Sequence, residues 1–203
     1  MFQPLPGQPA GAGCTLGRAV AGERTPELAH ADTPALIALD AILSGGKGMS
    51  FFGGGVALNK SSRLYRALVE TELAADVSSN YGMNHDPSLF EVSATVREGS
   101  TLDAVEQAVF DELERIAAKP PKPRELAKAI KQTRAQFAYS TERVSSLAYL
   151  LGVLECLHSY RDLDIFTERL AAVTPQDVQR VAQTYLRKTN RTVGWFQPVN
   201  SAR

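Results

Sequence analysis

From Phe90 to Arg97 the chain alternates without a break. Phe90, Val92, Ala94 and Val96 fall on one side of an extended backbone, and Glu91, Ser93, Thr95 and Arg97 on the other. Successive strand residues point to opposite faces, so this run is a half-buried antiparallel strand, with one face on a core and the other toward water. A second extended run, 74 to 81, precedes it. The two are joined by residues 82 to 87, where Asn84, Asp86 and Pro87 supply turn chemistry. A sheet face this apolar must be covered, and the rest of the chain offers helices to cover it.

Thr33-Pro34 predicts a helix start, with Thr33 as cap and Leu36, Leu39, Ile42 and Leu43 as its apolar stripe; Gly45-Gly46 ends it. A short helix is expected from Ser61 to Glu70. From Thr101, residues Leu102, Val105, Val109, Leu113 and Ile116 step by three and four, the spacing of a helix face. The run Lys119 to Pro123 breaks that helix. Three more are expected, over 123–140 (Leu126, Ile130, Phe137), 142–158 (Val144, Leu147, Leu151, Leu154) and 162–173 (Ile165, Phe166, Leu170). Thr174-Pro175-Gln176-Asp177 reads as a capping box opening a last helix, with stripe Val178, Val181, Tyr185 and Leu186. Arg18 to Thr25 and Arg191 to Phe196 are the remaining strand candidates. The fold class is therefore α+β, an antiparallel sheet with helices packed on one face. Residues 1–16, rich in Pro, Gly and Ala, read as a linker or tail, and 17–203 as a single domain.

Charge excludes little but points nowhere. With 22 basic and 22 acidic residues the chain has no footprint for nucleic acid or an anionic membrane, and it has no apolar run long enough to span one. Cys14 and Cys156 are far apart and outside any CxxC; Cys156, in an apolar helical run, is expected to be a buried thiol. The first residues carry no basic or apolar leader pattern.

Catalytic motifs are missing. A catalytic zinc takes three protein ligands, usually including two histidines one helical turn apart. Here His30, His85 and His158 are widely separated, and neither HExxH nor HxxEH occurs. There is no GxSxG, and the pairs Ser61-Ser62, Ser78-Ser79 and Ser145-Ser146 suit caps and turns. Carboxylates on the Thr101 helix, Glu112 among them, fall opposite the stripe and read as a solvated face. So do Lys119, Lys122, Arg124, Lys128, Lys131 and Arg134. Residues 45–59 form a glycine-rich loop lacking the spacing of a phosphate loop or a dinucleotide fingerprint. Phe51 and Phe52 stand there among six glycines, and exposed aromatics need a partner or a core to cover them.

Several words in order carry a family resemblance: Ser62-Arg63-Leu64-Tyr65, the strand Ser88 to Arg97, the run Arg143 to Gly152, and Thr174 to Ala182. Together they resemble the C-terminal, non-catalytic half of pitrilysin- and insulinase-type zinc peptidases, the superfamily of mitochondrial processing peptidase. The resemblance implies a clamshell of two related halves. One carries HxxEH and the zinc. The other, like this chain, holds no cofactor, closes the chamber and helps bind extended peptide. It implies a catalytic partner half, in the same polypeptide or a separate subunit, with a possible homo-oligomer, and a cytoplasmic or periplasmic location following that partner.

By position, the resemblance marks Gly46, Phe51, Phe52, Gly53, Gly54 and Gly55 as substrate-contact residues. Many active relatives place an Arg and a Tyr, seven residues apart, as a clamp on the substrate backbone and the transition-state oxygen. The corresponding positions here are Val69 and Asp76, which lack that chemistry. The expected function is thus the substrate-chamber half of a zinc metalloendopeptidase. The alternatives are a structural or assembly subunit of the same fold, without proteolysis, or a stand-alone α+β binding module.

Overall fold

The computed structural model describes residues 17–47 and 60–197. Four strands, β1 (Arg18–Thr25), β2 (Ala74–Tyr81), β3 (Ser88–Val96) and β4 (Arg191–Phe196), form an antiparallel sheet in the order β2-β3-β1-β4. The register places Ala19, Ala21 and Glu23 opposite Ala94, Val92 and Phe90 on one face, and Trp195, Val193 and Arg191 continue that row on β4. Ala75 is the extra residue of a bulge between the pairs Ala74–Val96 and Asp76–Thr95.

This face is covered by helices. α1 (Thr33–Ser44) is the central one, packed against β2 and against three later helices: α3 (Pro123–Thr141), α5 (Asp162–Ala171) and α6 (Pro175–Tyr185). The expected stripe of Leu36, Leu39, Ile42 and Leu43 is buried, and so are Ala35, Ala38 and Ala41 around it. At roughly 1.5–3 kcal/mol for each large apolar side chain, α1 is the largest block of the core. α2 (Leu102–Ala118) buries Val105, Val109, Leu113 and Ile116. α4 (Val144–Leu157) lies against α3 and α5.

The capping box before α6 forms as the sequence indicates. The Thr174 hydroxyl accepts from the Asp177 N–H, and the Asp177 carboxylate accepts from the Thr174 N–H at 3.0 Å. Four expectations need correction. Asp32, not Thr33, occupies the cap position of α1; the Thr33 hydroxyl lies 3.1 Å from the Tyr81 phenol oxygen. On α4 the buried residues are Leu150 and Leu154, while Val144 is 84% exposed. Cys156 is exposed rather than buried. Glu112 is buried within the α2 face, not solvated. The last three share a cause: α4 and α2 are held by neighbours that one-dimensional periodicity does not encode.

The opposite sheet face carries Val20, Gly22 and Arg24 of β1, Asp76, Ser78 and Asn80 of β2, Leu89, Glu91, Ser93 and Thr95 of β3, and Thr192, Gly194 and Phe196 of β4. All are half or fully exposed. It is polar except for Val20, Leu89 and Phe196 and the two glycines.

Candidate substrate and partner surface

The first chemistry in this chain is holding strands and helices in place. Arg63 leads into a π-helical segment, Tyr65–Val69, in which the Glu70 N–H bonds to the Tyr65 carbonyl five residues back. Its guanidinium forks onto Glu125 of α3, with both nitrogen–oxygen distances 2.8 Å, and reaches buried Glu112 of α2 at 3.5 Å. Arg115 caps the other oxygen of Glu112. The Arg63 hydrogen bond holds the Glu125 carboxyl below the ordinary carboxylate range. Periodicity alone places Glu112 on the surface; Arg63, arriving from another segment, gives it a partner in the interior.

Two positions follow from this segment. Val69 ends the π-helical turn, half-buried and packed on the core. Asp76 follows the bulge in β2, half-buried on the open face. A valine side chain donates no hydrogen bond, and an ionised aspartate repels a developing oxyanion. Glu72, between them, holds a left-handed backbone at φ 64°, a conformation that costs a side-chain-bearing residue about 1–2 kcal/mol.

At the β2 edge, Asp40 of α1 pairs with Lys47 at 3.0 Å and accepts from the Ser79 hydroxyl and the Tyr81 N–H. Lys47 and Ser44 both donate to the Ser79 carbonyl. Burial pushes the Asp40 carboxyl up, against the pull of Lys47. These side chains occupy the outward backbone groups at Ser79 and Tyr81, protecting that end of an edge strand from foreign strands. Ser79 is therefore a buried network member rather than a turn serine. A carboxylate inside an otherwise apolar helix, with a lysine seven residues on, was the available signal.

Lys47 also roots the glycine-rich loop. Just before it, Gly46 is buried against α3: a β-carbon there would sit 2.7 Å from the Gln132 β-carbon and 2.8 Å from the Thr133 nitrogen. The structure thus gives Gly46 a packing role. Phe51, Phe52, Gly53, Gly54 and Gly55 lie outside the described residues.

At the opposite side of the sheet, Glu23 and Arg191 form a buried pair at 2.7 Å, with the Arg191 guanidinium 4.0 Å from the centre of the Phe110 ring. Burial pushes the Glu23 carboxyl up, and its second oxygen has no partner. The pair ties β1 to β4 on the covered face.

The histidines do not converge on a metal. His30 precedes α1, His85 lies in the β2–β3 turn, and His158 follows α4, bonded to Asp162 at 2.7 Å. Among the described residues no group of three His, Cys, Asp or Glu side chains could hold a metal ion. The described residues thus form no site for a zinc ion.

A family model described as the peptidase M16 inactive domain matches residues 15–133, more than half of the chain. The chain belongs to that family. No curated protein matches it. Among solved structures, a protease from Helicobacter pylori superposes with a TM-score of 0.78 at 25% identity, over 91% of this chain and 41% of that one. A protein from Bordetella pertussis Tohama I, inferred to be a zinc protease, gives 0.76 at 25% identity, over 91% of this chain and 94% of that one. The inactive peptidase domain of an inferred zinc protease from Bordetella parapertussis shares the fold, with TM-score 0.77 and 23% identity over 92% and 94% of the two chains. This M16 inactive domain therefore spans less than half of the Helicobacter chain but nearly all of the Bordetella ones. The match agrees with the resemblance in the sequence, and the α+β fold is that of the family's inactive domains.

Proposed function

We propose that this M16 inactive domain is the substrate-chamber half of a zinc metalloendopeptidase. It pairs with an HxxEH-bearing half that holds the zinc, closes over it and helps bind extended peptide. Membership of the inactive-domain family carries the reading. The open sheet face supports it: a broad, polar surface of Ser78, Asn80, Ser93, Thr95 and Thr192 offers hydrogen-bonding groups to a peptide backbone. Residues 48–59 follow the pinned Lys47, and Phe51 and Phe52 within them are proposed to contact substrate or partner. The positions Val69 and Asp76 offer no transition-state donor, so the catalytic groups come from the other half.

Reconstitution tests this. Peptide cleavage by the HxxEH-bearing half from the same source is measured with and without this chain, and with chelator. The reading expects chelator-sensitive cleavage that appears, or rises strongly, only in the mixture. Equal activity of the catalytic half alone, or no association, would overturn it in favour of a structural subunit.

A further inference from the structure

The sheet ends on two edges, and they are finished differently. At the β2 edge, Lys47 and Ser44 donate to the Ser79 carbonyl, Asp40 accepts from the Tyr81 N–H, and the bulge at Ala75 interrupts the strand. Side chains and bulges of this kind keep foreign strands off an edge. Among the described residues β4 has neither. Its register against β1 runs unbroken from Arg18–Phe196 to Glu23–Arg191, and no described strand lies beyond it.

The hydrogen-bond pattern fixes which groups that edge leaves open. The Val96 N–H donates to the Gly17 carbonyl, 2.8 Å away, so Gly17 and, by alternation, Ala19 and Ala21 turn their backbone groups toward β3. Arg18, Val20 and Gly22 therefore turn theirs toward β4, where they face Phe196, Gly194 and Thr192. The N–H and C=O groups of Val193 and Trp195 are left pointing away from the sheet. Apolar side chains flank them: Trp195 is 57% and Phe196 55% exposed, and Val193 is half-buried. The one charge on β4, Arg191, is neutralised by buried Glu23, so the strand brings no like charges together when it meets itself.

Self-pairing is geometrically specific. Side chains opposite one another in an antiparallel pair share a face, so a two-fold pairing of β4 with itself must be centred on a residue. Centred on Gly194, it places Val193 opposite Trp195 of the second copy, and both are in phase to exchange N–H and C=O groups. The axis repeats that exchange on its other side. Val193 and Trp195 become a β-branched–aromatic pair on the covered face, and Thr192 meets Phe196 on the open face. Centring on Val193 instead would set Trp195 opposite Arg191, whose N–H already donates to the Lys188 carbonyl. At Gly194 itself a β-carbon would meet nothing within 4 Å, so the centre is uncrowded.

We propose that β4 is a dimerisation edge: a second copy of this chain adds antiparallel across a two-fold axis at Gly194 and joins the two sheets into one. This pairing does not rest on the chamber reading.

Sedimentation of the full 203-residue protein over about a hundredfold range of concentration tests it. The mean mass should rise from 22.0 kDa toward twice that value. Val193→Pro removes an outward N–H and no bond to β1, and edge strands tolerate proline. It should weaken association about tenfold or more with unchanged circular dichroism. Register is read by cross-linking in a Cys14→Ser, Cys156→Ser background. Gly194→Cys sets two thiols across the axis, where facing α-carbons stand about 4.5 Å apart, and should oxidise to a disulfide-linked dimer. Thr192→Cys, whose α-carbon lies about 14 Å from its copy, should not. A mass that stays at 22.0 kDa throughout would overturn the pairing, leaving the edge to another segment or protein. So would a dimer that Val193→Pro leaves equally tight, or cross-linking at Thr192→Cys as ready as at Gly194→Cys. No step here uses a catalytic half, so the dimer can fail while the chamber role stands, and the reverse.

Discussion

α1 and α4 are equally apolar helices with opposite fates. α1 buries nine residues against the sheet and three other helices; α4 buries two and leaves Val144 and Tyr149 in water. Apolar composition in α1 is consumed by the domain's own core. In α4 it exceeds what the core uses, and the surplus stays exposed. The same contrast divides the sheet, whose covered face is packed except at Trp195 on the β4 edge and whose open face is polar apart from Val20, Leu89 and Phe196. The domain thus separates the residues that build its core from those it leaves exposed.

The sharpest way to break this comparison is to truncate each helix in turn. Leu39→Ala in α1 should cost about 2–5 kcal/mol, through lost transfer energy and the cavity left behind. Val144→Ser in α4 should stay within about 0.5 kcal/mol, as exposed positions do. Urea denaturation reads both; a comparable loss at Val144 would show that α4 belongs to the core after all.

Smaller in effect is the root of the glycine-rich loop. Gly46→Ala forces a β-carbon into the α3 backbone, so it should destabilise by roughly 1–3 kcal/mol, as overpacking does. Finding it neutral would mean that α1 and α3 meet less tightly than described.

Next is the pin between the Arg63 segment and α3. Glu125 is held below its reference value of 4.5, so its contribution is present above pH 4.5 and is lost as pH falls through the folded value. The stability difference between wild type and Glu125→Gln should therefore favour wild type at pH 7 and shrink below pH 4.5. A gap that persists unchanged at pH 3 would contradict the ion pair.

The smallest change is Glu72→Gly. It relieves the left-handed backbone at φ 64° and should raise stability by up to about 1 kcal/mol, less the entropy glycine adds to the unfolded chain.

Much of the fold was legible because its signals are local. The alternation around β3, the Thr174–Asp177 capping box and the step pattern of α2 each report a neighbour within four residues, and each formed as expected. What escaped was set by distant segments. Glu112 is buried because Arg63, far along the chain, reaches it; Ser79 because Asp40 and Lys47 cover its strand edge. α4 is apolar on several sides, so periodicity offered more than one stripe, and only packing against α3 and α5 selects Leu150 and Leu154. The site positions Val69 and Asp76 came from resemblance, which names a place without showing what the place does.

The central claim is that this chain supplies surface and shape while the chemistry resides elsewhere. Its most direct test removes every histidine. The triple variant His30→Ala, His85→Ala, His158→Ala is mixed with the HxxEH-bearing half, and its cleavage rate is compared with that of the unaltered mixture. The account predicts rates within about twofold, because no residue lost touches the reacting atoms. A large loss of kcat that added zinc restores, in a variant whose fold and association are intact, would contradict it by placing metal chemistry in this chain.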